Sequence, residues 1–371
     1  MSDEQAAGGI AMPGWLDRLG GFVERTQGFW RKIGEIETNA HQEALDRIEI
    51  DRPVYIAGLA RSGSTVLLEM LARHPDVATH QYRDFPLLFA PIYWDRAFGQ
   101  RQANRTQPEE RAHKDRIKVT PASPEAMEEV LWMAFFQHIH DPAQCQVLDA
   151  STSAPAFERF YRDHLKKMLL IRDGRRYLAK GNYNTTRLAY LLKLFPDARF
   201  IVPVREPRWH VASLLKQHRL FSAAERADRR ILRHMRRVGH FEFGLDRRVV
   251  RTGANEEAAR IDALWSSGQD IEGYARLWSG VYGYVLDSIA ADPAIARATL
   301  VVRYEDLCRD PQSRLTDIAT HAGLSFPSDV IAAMAGEVSS PTYYDPGFTA
   351  TEEATIHEAT CGTARRLGYA V

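Results

Sequence analysis

The chain has 371 residues, with 48 Lys and Arg against 48 Asp and Glu, so its formal net charge is zero. That balance excludes binding to nucleic acid or an acidic membrane through bulk charge, and 45% hydrophobic with 26% charged residues excludes a disordered chain. Three well-separated cysteines, Cys145, Cys308 and Cys361, with no CxxC pair exclude a disulfide framework and a cysteine-based zinc site.

The opening residues MSDEQAAGGIAM carry acids and lack the apolar core of a signal peptide, and no run approaches the roughly 18 apolar residues of a membrane span. The expectation is a cytoplasmic protein with no transmembrane segment. Residues 13–50 predict a helical extension. Trp15, Leu16, Leu19, Phe22, Val23, Phe29, Trp30 and Ile33 recur at helical spacing, broken by Gly20-Gly21 and Gly28. Acids interleave with its bases, which favours packing on the main body over a membrane-surface helix.

At Asp51 the pattern changes. Val54-Tyr55-Ile56-Ala57 reads as a strand, Gly58 to Thr65 as a turn, and Val66 to Arg73 as a helix, the opening unit of an α/β fold with a parallel sheet. Further strands are predicted at Arg176–Lys180, Arg199–Val204 and Ala298–Arg303, with helices through Leu188–Leu194 and Leu315–Ala322. Pro203 lacks a ladder donor, so a local irregularity is expected in its strand. The whole reads as α/β: a P-loop-like parallel sheet flanked by helices in one domain over 51–371, preceded by the helical extension at 1–50 and carrying a helical insertion at 215–295. Within that insertion, Lys216 to Arg251 holds eleven Lys/Arg against four Asp/Glu. Two readings stand, a solvated helix face and a basic flap over an anionic ligand.

The turn Gly58-Leu59-Ala60-Arg61-Ser62-Gly63-Ser64-Thr65 matches G-x-x-x-x-G-K-[ST] except that Ser64 replaces the lysine. Its glycines, successive N–H groups and the following helix N-terminus make a nest for a tetrahedral anion, to which Ser62, Ser64 and Thr65 add hydroxyls and Arg61 a guanidinium. A nucleotide triphosphatase needs that lysine and a strand-end Asp for Mg²⁺, and the later strand ends in Arg205 instead. The site suits an anion held without metal. Arg205, at a strand end and followed by Ser213 in the next helix, is placed either to bind phosphate at the carboxyl edge of the sheet or to pair with Glu206 or Glu69.

The turn GLARSGST, the run FPDARFIVPVREP with Ser213 eight residues after Arg205, and VRYEDL at 302–307 together resemble sulfotransferases that use 3′-phosphoadenosine 5′-phosphosulfate (PAPS), over roughly Asp51 to Leu324. The branch it is most similar to contains tyrosylprotein sulfotransferases and many bacterial relatives. The resemblance implies that Arg61, Ser62, Gly63, Ser64 and Thr65 hold the 5′-phosphosulfate and that Arg205 and Ser213 hold the 3′-phosphate. It also implies that Lys180 stands near the transferring group, where the alternative is a surface lysine at a strand end. Relatives carry the proton acceptor shortly after the helix that follows the loop. The glutamate of tyrosylprotein relatives is missing there, Gln81 and Tyr82 stand nearest, and the candidates become Asp84 and His80.

Two aromatic stretches have core and acceptor-wall readings: Pro86 to Trp94, and Trp265, Tyr274, Trp278, Tyr282 and Tyr284. The expected activity is metal-independent, in-line sulfuryl transfer from PAPS to a hydroxyl on a small-molecule or glycan acceptor, foremost a carbohydrate or glycoconjugate. The rivals are a P-loop kinase or NTPase and a PAPS-binding protein without catalysis.

Overall fold

The computed structural model describes residues 12–99, 107–110, 118–253, 255–339 and 346–370. Five parallel strands, β1 (Val54–Ile56), β2 (Val77–Ala78), β3 (Arg176–Lys180), β4 (Arg199–Val204) and β5 (Thr299–Arg303), form a sheet in the order β2-β3-β1-β4-β5. Helices α1 (Gly14–Arg25), α2 (Gln27–Ala40), α3 (Ser64–Leu71), α4 (Glu129–Phe135), α5 (Pro155–Arg172), α6 (Leu188–Leu194) and α7 (Pro207–Ala227) are followed by α8 (Arg229–Arg237), α9 (Asn255–Ser266) and α10 (Asp270–Ala291). The chain closes with α11 (Tyr304–Arg309), α12 (Pro311–Ala322) and α13 (Ala350–Arg366).

β1 lies centrally, with Tyr55 level with Ala179 of β3 and Phe200 of β4. Its three residues are all buried, as parallel strands covered by helices on both faces require. Alternation along the strands sends Val54, Ile56, Leu178 and Ile201 to one face, against Leu67, Leu68 and Leu71 of α3 and Leu315 and Ile318 of α12. Tyr55, Tyr177, Phe200 and Val202 face the other way, against Phe157, Tyr161, Leu165 and Met168 of α5 and Trp278 and Tyr282 of α10.

β4 runs unbroken through Pro203, which stands opposite Val302, so the expected irregularity is absent. Arg199 N donates to Pro53 O at 2.9 Å and Ala57 N donates to Ile201 O at 2.9 Å, so alternate residues of β4 face β1. Pro203 lies beyond Ile201, the last residue of β4 paired with β1, so its missing N–H breaks no rung of that pairing.

The extension is built of α1, α2 and a short helix at Gln42–Asp46. Asp17 pairs with Arg233 at 2.8 Å and Arg237 at 3.4 Å, and Glu24 pairs with Arg237 at 3.1 Å, so α1 is clasped to α8. Gly20 allows this approach, since a Cβ there would lie 2.9 Å from the Arg237 guanidinium. On α2, buried Glu37 pairs with buried Lys167 of α5 at 3.1 Å. The basic run is therefore partly a solvated face and partly ion-paired: Lys216, Arg219, Arg226 and Arg229 are exposed, while others of the run sit against acids. Arg236 and Arg248 share Asp246, Arg247 holds Asp270, and Arg251 holds Asp262. Leu88, Phe89 and Ile92 of the first aromatic stretch are core, and the second stretch lies in the core beneath α10, with Tyr284 at its edge.

Candidate active site

The loop after β1 opens at the carboxyl edge of the sheet, where the strand order switches direction between β1 and β4. Gly58 turns so tightly that a Cβ would stand 2.8 Å from Pro203 O. Gly63 adopts φ 96°, with the Tyr304 ring 2.5 Å from where its Cβ would be, and Arg61 adopts φ 75°. Only glycine meets both demands at position 63. Gly63 is also the N-cap of α3 and supplies no side-chain cap, so the first N–H groups of the helix are left for a ligand.

The strand end after β4 is braced from behind. Trp278 Nε1 donates to Arg205 O at 3.1 Å and Tyr282 Oη donates to Pro203 O at 3.1 Å. Glu206 caps α7 by accepting from Arg208 N at 3.4 Å and Trp209 N at 3.3 Å. The Arg205 side chain is buried beside Tyr304, 5.7 Å from the ring centre. Arg61 Nε donates to Ser213 Oγ at 3.2 Å, which joins the two halves of the edge. Between them His210 contacts Ala60 O at 2.8 Å, so its Nε2 carries the proton. Burial, reinforced by the positive charges of Arg205 and Arg61, pushes the His210 imidazole down to about 3 and keeps it neutral. The field of two guanidiniums is thus felt at one neutral ring, a setting that favours an anion.

Lys180 at the end of β3 donates from Nζ to Thr65 Oγ1 at 3.1 Å. Arg61, Ser64, Thr65 and Lys180 line one cavity of about 470 Å³. Ser62 and Gly63 form the turn behind this wall, and Arg205 and Ser213 stand on the other side of Arg61. Much of the remaining wall is apolar, with Phe85, Met127, Phe221, Ile231, Met235 and Phe243 prominent.

Four acids line that wall, Glu125, Glu128, Glu129 and Glu242, and the last three have different environments. Glu129 is buried, yet Arg187 at 2.7 Å and His140 at 2.6 Å hold its carboxyl down at about 2. Glu242 pairs with His240 and accepts from Asn182 Nδ2 at 2.6 Å, which lowers its carboxyl despite burial. Glu128 is different. Its Oε1 accepts from Tyr161 Oη at 2.7 Å and Tyr177 Oη at 2.6 Å, whereas its Oε2 is buried without a hydrogen-bond partner. Burial pushes the Glu128 carboxyl above the usual range, against the pull of its two tyrosines.

His80 and Asp84 are not brought to this wall. His80 is 2% exposed, stacks on His164 at 5.0 Å between ring centres, and sets its Nε2 3.0 Å from that of His164. Asp84 accepts from Gln81 N at 2.8 Å and pairs with buried Arg172 of α5. Arg172 needs a carboxylate there, which turns Asp84 inward, and Tyr82 and Phe85 of the same segment reach the cavity instead. Glu128 was not among the sequence candidates, because nothing in PEAMEEV distinguishes it from its neighbour Glu129.

Among the described residues, no group of three or more His, Cys, Asp and Glu is arranged to hold a metal ion. The sulfotransferase family profile matches residues 53–247, just over half of the chain. A comparison with curated protein sequences finds no match. Among solved structures the chain is similar to the sulfotransferase STF9 of Mycobacterium avium, at 15% identity and TM-score 0.52, covering 90% of this chain and 81% of that one. It is also similar to the sulfotransferase STF1 of Mycobacterium tuberculosis H37Rv, at 18% identity and TM-score 0.49, covering 97% and 89% of the two chains. The first likeness bears out the α/β parallel-sheet fold. The profile match shows that the chain belongs to the sulfotransferase family.

Proposed function

We propose that the protein moves a sulfuryl group from PAPS to a hydroxyl held in the cavity, without a metal. The observation that carries this reading is the Lys180–Thr65 contact at the head of a glycine turn, opening onto the cavity that also has Glu128 in its wall. The donor, when bound, supplies the sulfuryl group and leaves as a bisphosphate with added negative charge. Loop N–H groups, Lys180 and Arg61 would stabilise that charge, the kind of electrostatic aid that preorganised donors give best. Arg205 and Ser213 would hold the 3′-phosphate. Glu128 Oε2 would take the proton from the acceptor hydroxyl, and a carboxyl raised by burial is better matched to that task than one held down near 2.

For the acceptor, the apolar wall favours an alcohol carried on an apolar body, glycolipids included, over a free sugar. A free sugar would leave several hydroxyls without partners, each costing about 1–3 kcal/mol. Calorimetry with adenosine 3′,5′-bisphosphate and with ATP, each with and without EDTA, tests the donor reading. Tight, EDTA-insensitive binding of the bisphosphate is expected. Tight Mg²⁺-dependent binding of ATP, with weak binding of the bisphosphate, would favour the kinase reading. Turnover of PAPS against matched panels of sugars, aryl alcohols, long-chain alcohols and glycolipids tests the acceptor, and activity confined to free sugars would overturn that part.

A further inference from the structure

We propose that the outward face of α1 and α2 is a docking surface for an anionic lipid bilayer. Of the interleaved acids that weigh against a membrane role in the sequence, Asp17 and Glu37 are turned inward by the fold, Glu24 is half-exposed but paired, and Glu35 stays exposed. Asp17 and Glu24 hold arginines of α8, and Glu37 is buried against Lys167. What faces outward is a row of large apolar side chains seven residues apart: Trp15 (64% exposed), Phe22 (47%), Phe29 (56%) and Ile36 (49%). These are four of the seven large apolar side chains exposed among the described residues, so the concentration on two short helices is not scatter. Tyr93, also exposed, extends the row at its end, its ring 5.8 Å from that of His41.

The row continues across the break between the helices. Thr26 N donates to Phe22 O at 3.1 Å, and Trp30 N donates to Thr26 O at 3.2 Å, so the hydrogen-bond ladder passes through the junction. Trp15 to Ile36 therefore spans about 30 Å at the helical rise per residue. Three residues beyond each of the first three apolar positions stand Arg18, Arg25 and Lys32, all exposed. Aromatic rings at the headgroup level, with basic side chains snorkelling alongside to lipid phosphates, are the arrangement that holds a helix in a bilayer interface. A second copy of this chain fits less well, because a two-fold contact would bring the basic rows of the two copies together. The surface works through this local row, consistent with a net charge of zero.

The test uses the full chain and co-sedimentation with vesicles of phosphatidylcholine alone or with a quarter phosphatidylglycerol. The wild type is expected to bind the anionic vesicles and to bind neutral ones weakly. Each basic residue near an anionic surface contributes about fivefold in binding, so Arg18→Glu/Arg25→Glu/Lys32→Glu should weaken binding at least about a hundredfold. Trp15→Ser/Phe22→Ser/Phe29→Ser should abolish it. Calorimetry with adenosine 3′,5′-bisphosphate checks that each variant is folded, and if the aromatic variant fails that check the charge reversal decides alone. The proposal is overturned if the wild type stays off anionic vesicles or if the charge-reversed variant binds like the wild type. It is also overturned if light scattering finds a wild-type dimer that the aromatic substitutions split, which would make the face an interface between copies.

Discussion

Lys180 Nζ and Thr65 Oγ1, 3.1 Å apart, join the end of β3 to the first turn of α3 and so place a cation over the open N-terminus of that helix. In the proposed reaction Lys180 would stabilise charge that develops on the leaving phosphate. Lys180→Met should therefore lower kcat by about 10²–10³-fold, the range for loss of one preorganised donor. Affinity for the bisphosphate should fall less than tenfold. Single-turnover kinetics with PAPS separates the two, and a loss confined to affinity would make Lys180 a binding residue only.

Glu128 should behave as the base. Glu128→Gln keeps the shape and both tyrosine contacts but cannot accept the proton, so kcat should drop by about 10²–10⁴-fold with donor affinity unchanged. The rate requires the carboxylate and falls as pH drops through the Glu128 pKa. Burial raises that pKa, so the acid limb of the wild type should lie above the usual carboxylate range and disappear in Glu128→Gln. Retention of most activity in Glu128→Gln would remove it from the mechanism.

Asp84 should matter to stability instead. Its carboxyl is held below the ordinary value: burial would raise it, but His80 and Arg172 outweigh that. A depressed folded-state pKa adds stability that is complete above the unfolded value of about 3.8 and is lost as pH falls through the lower folded value. Asp84→Asn leaves Arg172 with Asp95, at 3.2 Å, as its remaining partner, and should cost about 3 kcal/mol, the lower end of the range for breaking a buried pair. Urea unfolding at neutral and acid pH measures this, and activity per folded molecule should be retained in both Asp84→Asn and His80→Ala.

Much of the fold is written locally. β3 and β4 stand where short apolar runs predict them because a doubly covered strand needs no partner in sequence to be recognised, and the anion-binding turn is contiguous. β2 is only Val77–Ala78, too short to show a period. The proposed base is illegible for another reason: Glu128 acquires its setting from Tyr161 and Tyr177, which lie 33 and 49 residues away. The basic run misleads in the same manner. Arg233 finds Asp17 at a separation of 216 residues and Arg237 finds Glu24 at 213, so its neutralisation exists only in the folded chain. Trp278 and Tyr282 are core residues whose polar tips hold the strand end that carries Arg205.

The pairing of the basic run has a kinetic consequence. Arg237 is 8% exposed and occupied by Asp17 and Glu24, so it is not available to an acceptor. The acceptor KM for an alcohol that carries an anionic group should stay flat between low and high salt. Arg237→Ala should destabilise the fold by roughly 1.5–3 kcal/mol, as expected for hydrogen bonds to charged groups. A KM that climbs with salt would restore the flap reading.

Arg205 carries the sharpest test of the donor clamp. It lies at the end of β4 with its backbone fixed by Trp278, and both it and Arg61, which holds Ser213, lower the His210 pKa by their charge. A 3′-phosphate placed there would meet a buried guanidinium, and removal of one partner from such a desolvated pair costs roughly 2–5 kcal/mol. Arg205→Ala should weaken adenosine 3′,5′-bisphosphate by that amount. Ser213→Ala removes a neutral hydroxyl and should cost only about 0.5–1.5 kcal/mol. The comparison that decides is adenosine 5′-phosphate, which lacks the 3′-phosphate: wild type and Arg205→Ala should bind it almost equally. Should Arg205→Ala weaken both nucleotides alike, the residue supports the loop rather than the 3′-phosphate, and Arg61 becomes the only guanidinium assigned to the donor.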